Sequence, residues 1–273
     1  MKKLQHELRL FLLALQFLTR LPVPARVGFQ PQWLSESVRH FPAVGMFVGL
    51  WASTVLVLSA QLWSPWVAAM LSLAATLCLT GGLHEDGLAD TADALGGSSS
   101  REKALAIMKD SRIGAYGAMA LVVVLGLKVI VLADLIRHDL GVAALLVIGA
   151  HTVSRTAAVV LMWALPYAGA ADQAKARPLA QEVSAHAPLV ALAWTALVLV
   201  WLSWSAASVL TASALLLGLV AATGVLVLCG RWWHRRLGGF TGDTLGATQQ
   251  LTEIGSLLAA LAVLNHPWPF LGH

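Results

Sequence analysis

The chain is 273 residues long, 58% hydrophobic and only 12% charged, with a mean hydropathy of +0.75. Soluble domains carry about a quarter charged residues, so this composition excludes a water-soluble globular protein and indicates a chain that crosses a membrane several times. The formal net charge of +4 reflects how loop charges are distributed, and no RNA- or DNA-binding module is visible, so nucleic acid is not an expected partner.

Residues 4–20 have the pattern of an amphipathic helix lying at the membrane interface. His6, Glu7 and Arg9 interrupt its apolar run and no small-residue cleavage site follows, so it reads as retained rather than as a signal peptide. Seven apolar runs then follow, at 41–60, 64–81, 115–136, 140–166, 187–204, 206–229 and 250–268, each long enough to span a bilayer. The expected fold is therefore all-α, a polytopic integral membrane bundle of about seven transmembrane helices plus the N-terminal amphipathic helix. No polar stretch is long enough for a soluble domain and no internal repeat is evident, so residues 1–273 read as a single domain.

The segments 1–40, 82–114, 167–186 and 230–249 hold six, four, two and three of the eighteen Lys and Arg residues. The positive-inside rule places all four on the cytoplasmic side, together with the polar chemistry they carry. Cys78 and Cys229 sit in apolar spans without CxxC spacing and read as buried free thiols. The eleven Trp residues are expected mainly at the membrane interfaces.

Six of the fourteen acidic residues fall between Gly81 and Gly117, in GGLHEDGLADTADALGGSSSREKALAIMKDSRIGAYG. Asp86, Asp90 and Asp93 stand at i, i+4 and i+7, directions within about 60° of one another on a helix. Unpaired carboxylates this close repel, so a hard cation such as Mg²⁺ is the natural occupant between them. The alternative is a solvated acidic segment neutralised by Arg101, Lys103, Lys109 and Arg112. His84 and Glu85 lack zinc-binding spacing, and a His at a span end is more often an interfacial side chain than a ligand.

Ser99 followed by Glu102 reads as a capping box opening a short surface helix. That helix leads into KDSRIGAYG, where Lys109, Ser111 and Arg112 precede Gly114 and Gly117, donors suited to phosphate oxygens or else ordinary positive flanking of the next span. A second cluster, GRWWHRRLGGFTGDTLGATQQ from Gly230 to Gln250, repeats the combination. There Arg235 and Arg236 can reach phosphate, Gly238, Gly239 and Gly242 allow close backbone approach beside Thr241, and Asp243 can complete a metal shell or accept a proton. Within the fourth span His151, Ser154 and Arg155 are candidates either to bind substrate phosphate or to neutralise an acid; Lys128 has no evident role.

Carboxylates, a divalent ion and basic glycine loops at one membrane face suit transfer of a phosphate-containing group, in which positioning and charge neutralisation supply most of the catalysis. DGLADTAD resembles, in part, the Asp-rich motif of CDP-alcohol phosphotransferases, with Asp90 where that family expects Arg. An ion-coupled transporter fits less well, because its acids belong at the bilayer midplane.

A closer resemblance spans nearly the whole chain. FLTRLPVP, GGLHEDGLADTADALGG, KDSRIGAYG and RRLGGFTGDTLGA, in this order, resemble the cobalamin synthase family. The resemblance implies transfer of α-ribazole or its 5′-phosphate onto adenosylcobinamide-GDP with release of GMP, a Mg²⁺ cofactor, and a place in the bacterial cytoplasmic membrane. It implies Asp86, Asp90 and Asp93 as metal ligands, one of them or Asp243 as proton acceptor, and Lys109, Arg112, Arg235 and Arg236 as partners of the departing GMP.

Overall fold

A computed structural model describes residues 2–169, 183–206 and 208–266. Among them every long element is helical, and six helices are long and apolar enough to cross a membrane, or seven if one bent pair counts as a single span. The all-α membrane bundle expected from the sequence is what forms.

Helix α1 (Lys2–Leu18) is amphipathic and lies on the bundle, with Phe17 stacked on Phe41 and Arg9 over the Trp33 ring. After α2 (Pro31–Ser37), helix α3 (Phe41–Ala60) runs across the membrane layer and returns through α4 (Pro65–Thr80). Gly81 and Gly82 both take left-handed backbone angles, φ +68° and +69°, a conformation that costs glycine little. There the chain turns by 91° into α5 (Leu83–Gly97), so the acidic segment is a helix laid across the end of the bundle. Helix α6 (Arg101–Ile107) follows; its N-cap is Ser100, whose side chain accepts from the Lys103 amide, one residue beyond the expected Ser99.

Four long helices follow: α7 (Ala115–His138), α8 (Leu140–Ala164), α9 (His186–Ala206) and α10 (Val209–Leu237). The last, α11 (Gly242–Asn265), begins well before the expected residue 250. The polar stretch after Gly230 is thus the end of α10, a four-residue corner and the first two turns of α11. Thr241 and Thr244 cap that start reciprocally, which a sequence pattern sought in Ser/Thr-x-x-Glu form does not reveal. The third of the four basic segments, expected over 167–186, lies largely outside the described residues.

Helix α8 is the centre of the bundle, 89% buried over its most apolar window against 28% for α7 and α10 and 22% for α9. The outer helices present apolar side chains outward, whereas α8 can carry polar ones inside. Gly45 and Gly49 of α3 let that helix touch α8: a methyl at Gly45 lies only 2.4 Å from the His151 carbonyl oxygen. Two apolar clusters, one around Val38, Trp233 and Leu237 and one around Leu56, Leu135 and Leu202, fill the bundle. Cys229 is buried as expected, but Cys78 is exposed on the outer face of α4, because consecutive turns of that helix bury Thr76 and Thr80 instead. Trp51, Trp63, Trp66, Trp201, Trp204 and Trp232 are exposed, while Trp233 is fully buried and donates to Thr248 Oγ1 at 2.9 Å.

The corners gather at two ends. Arg137 lies over Trp66 and His138 contacts Asn265 at one end. At the other, α5, α6, the stretch after α8 and the α10–α11 corner meet.

Candidate active site

Along α5 the three aspartates descend from solvent into the bundle: Asp86 is exposed, Asp90 half-buried and Asp93 buried. Asp93 faces the first turn of α7. Its Oδ2 accepts from the Gly114 amide at 2.7 Å and its Oδ1 from the Gly117 amide at 2.8 Å, so the carboxylate caps that helix. A cap of this kind, aided by the positive end of the helix dipole, contributes about 1–2 kcal/mol. Both glycines are needed for the approach, since a Cβ at either comes within 2.4 Å of a carboxylate oxygen.

The N-terminus of α11 meets α5 between the other two aspartates. A Cβ at Gly87 comes within 2.7 Å of the Asp243 carbonyl oxygen, and one at Gly246 within 3.0 Å of the His84 carbonyl oxygen. Asp243, on the first turn of α11, is thereby set against the same stretch of α5 that carries Asp86 and Asp90. His84 is buried at this crossing. Tyr167 joins the group: its ring packs edge-on against Phe240, and burial followed by the charge of Asp243 raises its phenol above the usual value.

The glycine corner serves two purposes. Gly238, with φ +78°, ends α10 in the left-handed conformation, and its amide donates to His234. Gly239 is packed under the Pro166 carbonyl, 1.9 Å from where a Cβ falls, so its lack of a side chain is used by the fold. Gly242 has open space around its Cβ position, as phosphate approach requires.

The two arginines expected to bind phosphate differ. Arg235 is exposed. Arg236 donates through Nη2 to the Ser98 carbonyl at 2.5 Å and to that of Leu95 at 3.4 Å, closing the C-terminal end of α5. Arg101 returns the contact, donating to the Leu237 carbonyl at 2.6 Å and to that of Ala168 at 3.0 Å. The pair locks α5, α6 and the end of α10 together. In the other basic loop Lys109 and Ser111 are exposed, and Arg112 grips Asp110 with Nη2 to Oδ2 at 2.6 Å, drawing that exposed carboxyl down to about 2.

Arg155 is not part of this face. It is buried on α8 and donates to Glu253 Oε2 at 2.9 Å, the acid-neutralising alternative of the two expected. Lys128 is also buried, and donates to Glu253 Oε1 and Gln250 Oε1, both at 2.6 Å. Sequence reading missed the acceptors Glu253 and Gln250, as well as Tyr167; it named Arg101 only as a neutraliser of the acidic segment and gave Glu85 no role. A polar run, ATQQLTE, inside an apolar span was the available signal.

Among the described residues no three His, Cys, Asp or Glu side chains stand close enough to hold a metal ion by themselves. The expected three-carboxylate set is not assembled, because Asp93 is turned into α7. Asp86 and Asp90, one turn apart, remain as hard oxygen donors, with the backbone of Asp243 packed on the same helix at Gly87.

Fold and site together define a polytopic helical membrane protein with an acidic helix and basic, glycine-containing corners gathered at one end. The family model described as cobalamin-5-phosphate synthase matches residues 10–261. Similar proteins named adenosylcobinamide-GDP ribazoletransferase include one from Leptothrix cholodnii, 56% identical over 96% of this chain and 98% of the relative. One from Polaromonas sp. strain JS666 is 44% identical over 94% and 98%. A third, from Vibrio cholerae, is 40% identical over 96% and 97%. The chain belongs to the cobalamin synthase family. No solved structure matches it significantly.

Proposed function

We propose that this chain is an enzyme joining α-ribazole, or its 5′-phosphate, to adenosylcobinamide-GDP with release of GMP. The observation that carries the reading is the relation, over nearly the whole length of both chains, to proteins named for that transfer. In the reaction a hydroxyl oxygen of the ribazole forms a bond to the cobinamide-linked phosphorus. The bond from that phosphorus to the bridging oxygen breaks, its electron pair leaves with GMP, and the hydroxyl proton passes to a carboxylate.

The residues at the α5–α11 crossing suit these tasks. Asp86 and Asp90 fit a Mg²⁺ ion of the usual kind, held by one or two carboxylates together with substrate phosphates rather than by an all-protein cage. Such an ion would supply charge neutralisation to the phosphate oxygens. Asp243, whose backbone packs on this stretch of α5, is the proton acceptor in this reading. Lys109, Ser111, Arg112 and Arg235 are exposed donors for the GMP phosphate, and the open Gly242 backbone beside Thr241 permits close approach. Arg236, Gly238 and Gly239 shape the corner, and Asp93 holds α7 against the site.

The family relation supports a place in the bacterial cytoplasmic membrane, and the lysine and arginine distribution supports an orientation with this end in the cytoplasm. A reporter fused after Lys103 or Arg236 is expected to read cytoplasmic and one after Arg137 external; the reverse pattern overturns the orientation. The reaction is tested by turnover in membranes with Mg²⁺ supplied or chelated. Asp86→Asn and Asp90→Asn are expected to abolish it without preventing insertion, whereas near-normal turnover in both variants at limiting Mg²⁺ removes the metal assignment.

A further inference from the structure

Beneath the acidic helix lies a buried polar cluster to which the reaction above gives no task. Glu253 of α11 is its hub. Lys128 of α7 donates to one carboxylate oxygen at 2.6 Å and Arg155 of α8 to the other at 2.9 Å, with His151 Nδ1 at 3.0 Å from the latter. Lys128 also donates to Gln250 Oε1, and the amide of Gln250 donates to Glu85 Oε1 at 2.8 Å. Lys128, Arg155, Gln250, Glu253 and Glu85 are each no more than 6% exposed. Two cations and two carboxylates therefore balance inside the bundle, in a medium where an unmatched charge is costly.

Glu85 is the outermost member and stands immediately before Asp86, its side chain inward where that of Asp86 is outward. Near its far end helix α5 is also tied through Asp93 to α7 and through its last carbonyls to Arg236. The turn that presents Asp86 and Asp90 is held from within by Glu85.

We propose that Glu85 is a positioning residue for the transfer reaction, acting through Gln250 from the Lys128–Glu253–Arg155 cluster to fix the rotation of α5 at Asp86 and Asp90. Gln250 is the adaptor: one end of its amide satisfies Lys128 and the other Glu85, so the position of α7, α8 and α11 is transmitted to the acidic turn. The proposal rests on the reaction being run at Asp86 and Asp90. A shift of about 1 Å in such groups is enough for losses up to a hundredfold in turnover without loss of binding.

The test exchanges donor and acceptor. Gln250→Glu sets a second carboxylate against Glu85 and is expected to lower kcat about tenfold or more, with KM for adenosylcobinamide-GDP within about threefold of the parent. Combining it with Glu85→Gln restores one donor, one acceptor and the charge count, and is expected to bring kcat back to within about threefold. Normal kcat in inserted Gln250→Glu, a loss confined to KM, or a loss that the double change fails to rescue overturns the proposal. If Gln250→Glu does not accumulate in membranes, Glu85→Gln alone decides: a fall in kcat at constant KM supports the proposal, and parental kcat refutes it. Asp86→Asn separates the two levels, because an active Asp86→Asn variant dismisses the site itself, whereas an inactive one beside a normal Gln250→Glu dismisses only the positioning.

Discussion

Asp93 accepts the Gly117 amide at 2.8 Å across 24 residues of sequence, with the Gly114 amide on its other oxygen. The carboxylate thus joins the acidic helix to the first turn of the next span. Asp93→Ala is expected to lower stability by about 1–3 kcal/mol, because two helix-end amides lose their partner. Asp93→Asn, which keeps one acceptor, should lose roughly half as much. Gly117→Ala should resemble Asp93→Ala, since its Cβ falls 2.3 Å from Asp93 Oδ2. Thermal unfolding in detergent measures all three; unchanged midpoints contradict the capping role.

The two adjacent arginines of α10 should separate. Arg235 is exposed and assigned to the leaving GMP, so Arg235→Lys is expected to lower kcat and kcat/KM together by about tenfold, or roughly 1.4 kcal/mol. Arg236 bonds the end of α5, so Arg236→Ala should reduce thermal stability as well as turnover. Equal kinetic and thermal behaviour of the two variants contradicts this division.

The glycines divide in the same way. Gly239→Ala forces a methyl against the Pro166 carbonyl and is expected to cost about 1–3 kcal/mol of stability. Gly242→Ala meets nothing, so its stability should stay within about 0.5 kcal/mol of the parent while kcat/KM falls about tenfold. A fully active Gly242→Ala protein removes the backbone-approach assignment.

Much of this arrangement was legible in the residues. The i, i+4, i+7 spacing of Asp86, Asp90 and Asp93 marked a helix, and the apolar runs marked the spans, because both signals are local. The partners of Asp93 were not, because capping by a carboxylate 21 and 24 residues upstream is a tertiary contact. The start of α11 was misplaced for a related reason. Residues 242–250 are polar and glycine-containing, which reads as loop, yet Thr248, Gln249 and Gln250 face protein: Gln250 donates to Gln249 and accepts from Lys128, and Thr248 accepts from the Trp233 indole. The register of the α6 cap was ambiguous within three consecutive serines, and only the Lys103 amide selects Ser100.

Tyr167 offers a probe of where Asp243 sits. Its phenol is raised above the usual value, first by burial and then by the negative charge of Asp243. A phenol raised in this way stays neutral at physiological pH and ionises only in more alkaline solution. In a Tyr116→Phe background, where Tyr167 is the remaining tyrosine, Asp243→Asn should move its ionisation to lower pH by ultraviolet difference absorbance. An unshifted titration places Asp243 away from Tyr167.

In the proposed reaction this membrane protein transfers the cobinamide-bearing phosphoryl group to a ribazole hydroxyl at the acidic turn of α5. The most direct measurement is GMP release from adenosylcobinamide-GDP by purified protein in lipid, with and without α-ribazole or its 5′-phosphate, for the parent and Asp86→Asn. The expected result is GMP formation by the parent that depends on the ribazole acceptor and is absent in inserted Asp86→Asn. No acceptor-dependent GMP from the intact parent contradicts the reaction, and parental rates in Asp86→Asn contradict the site.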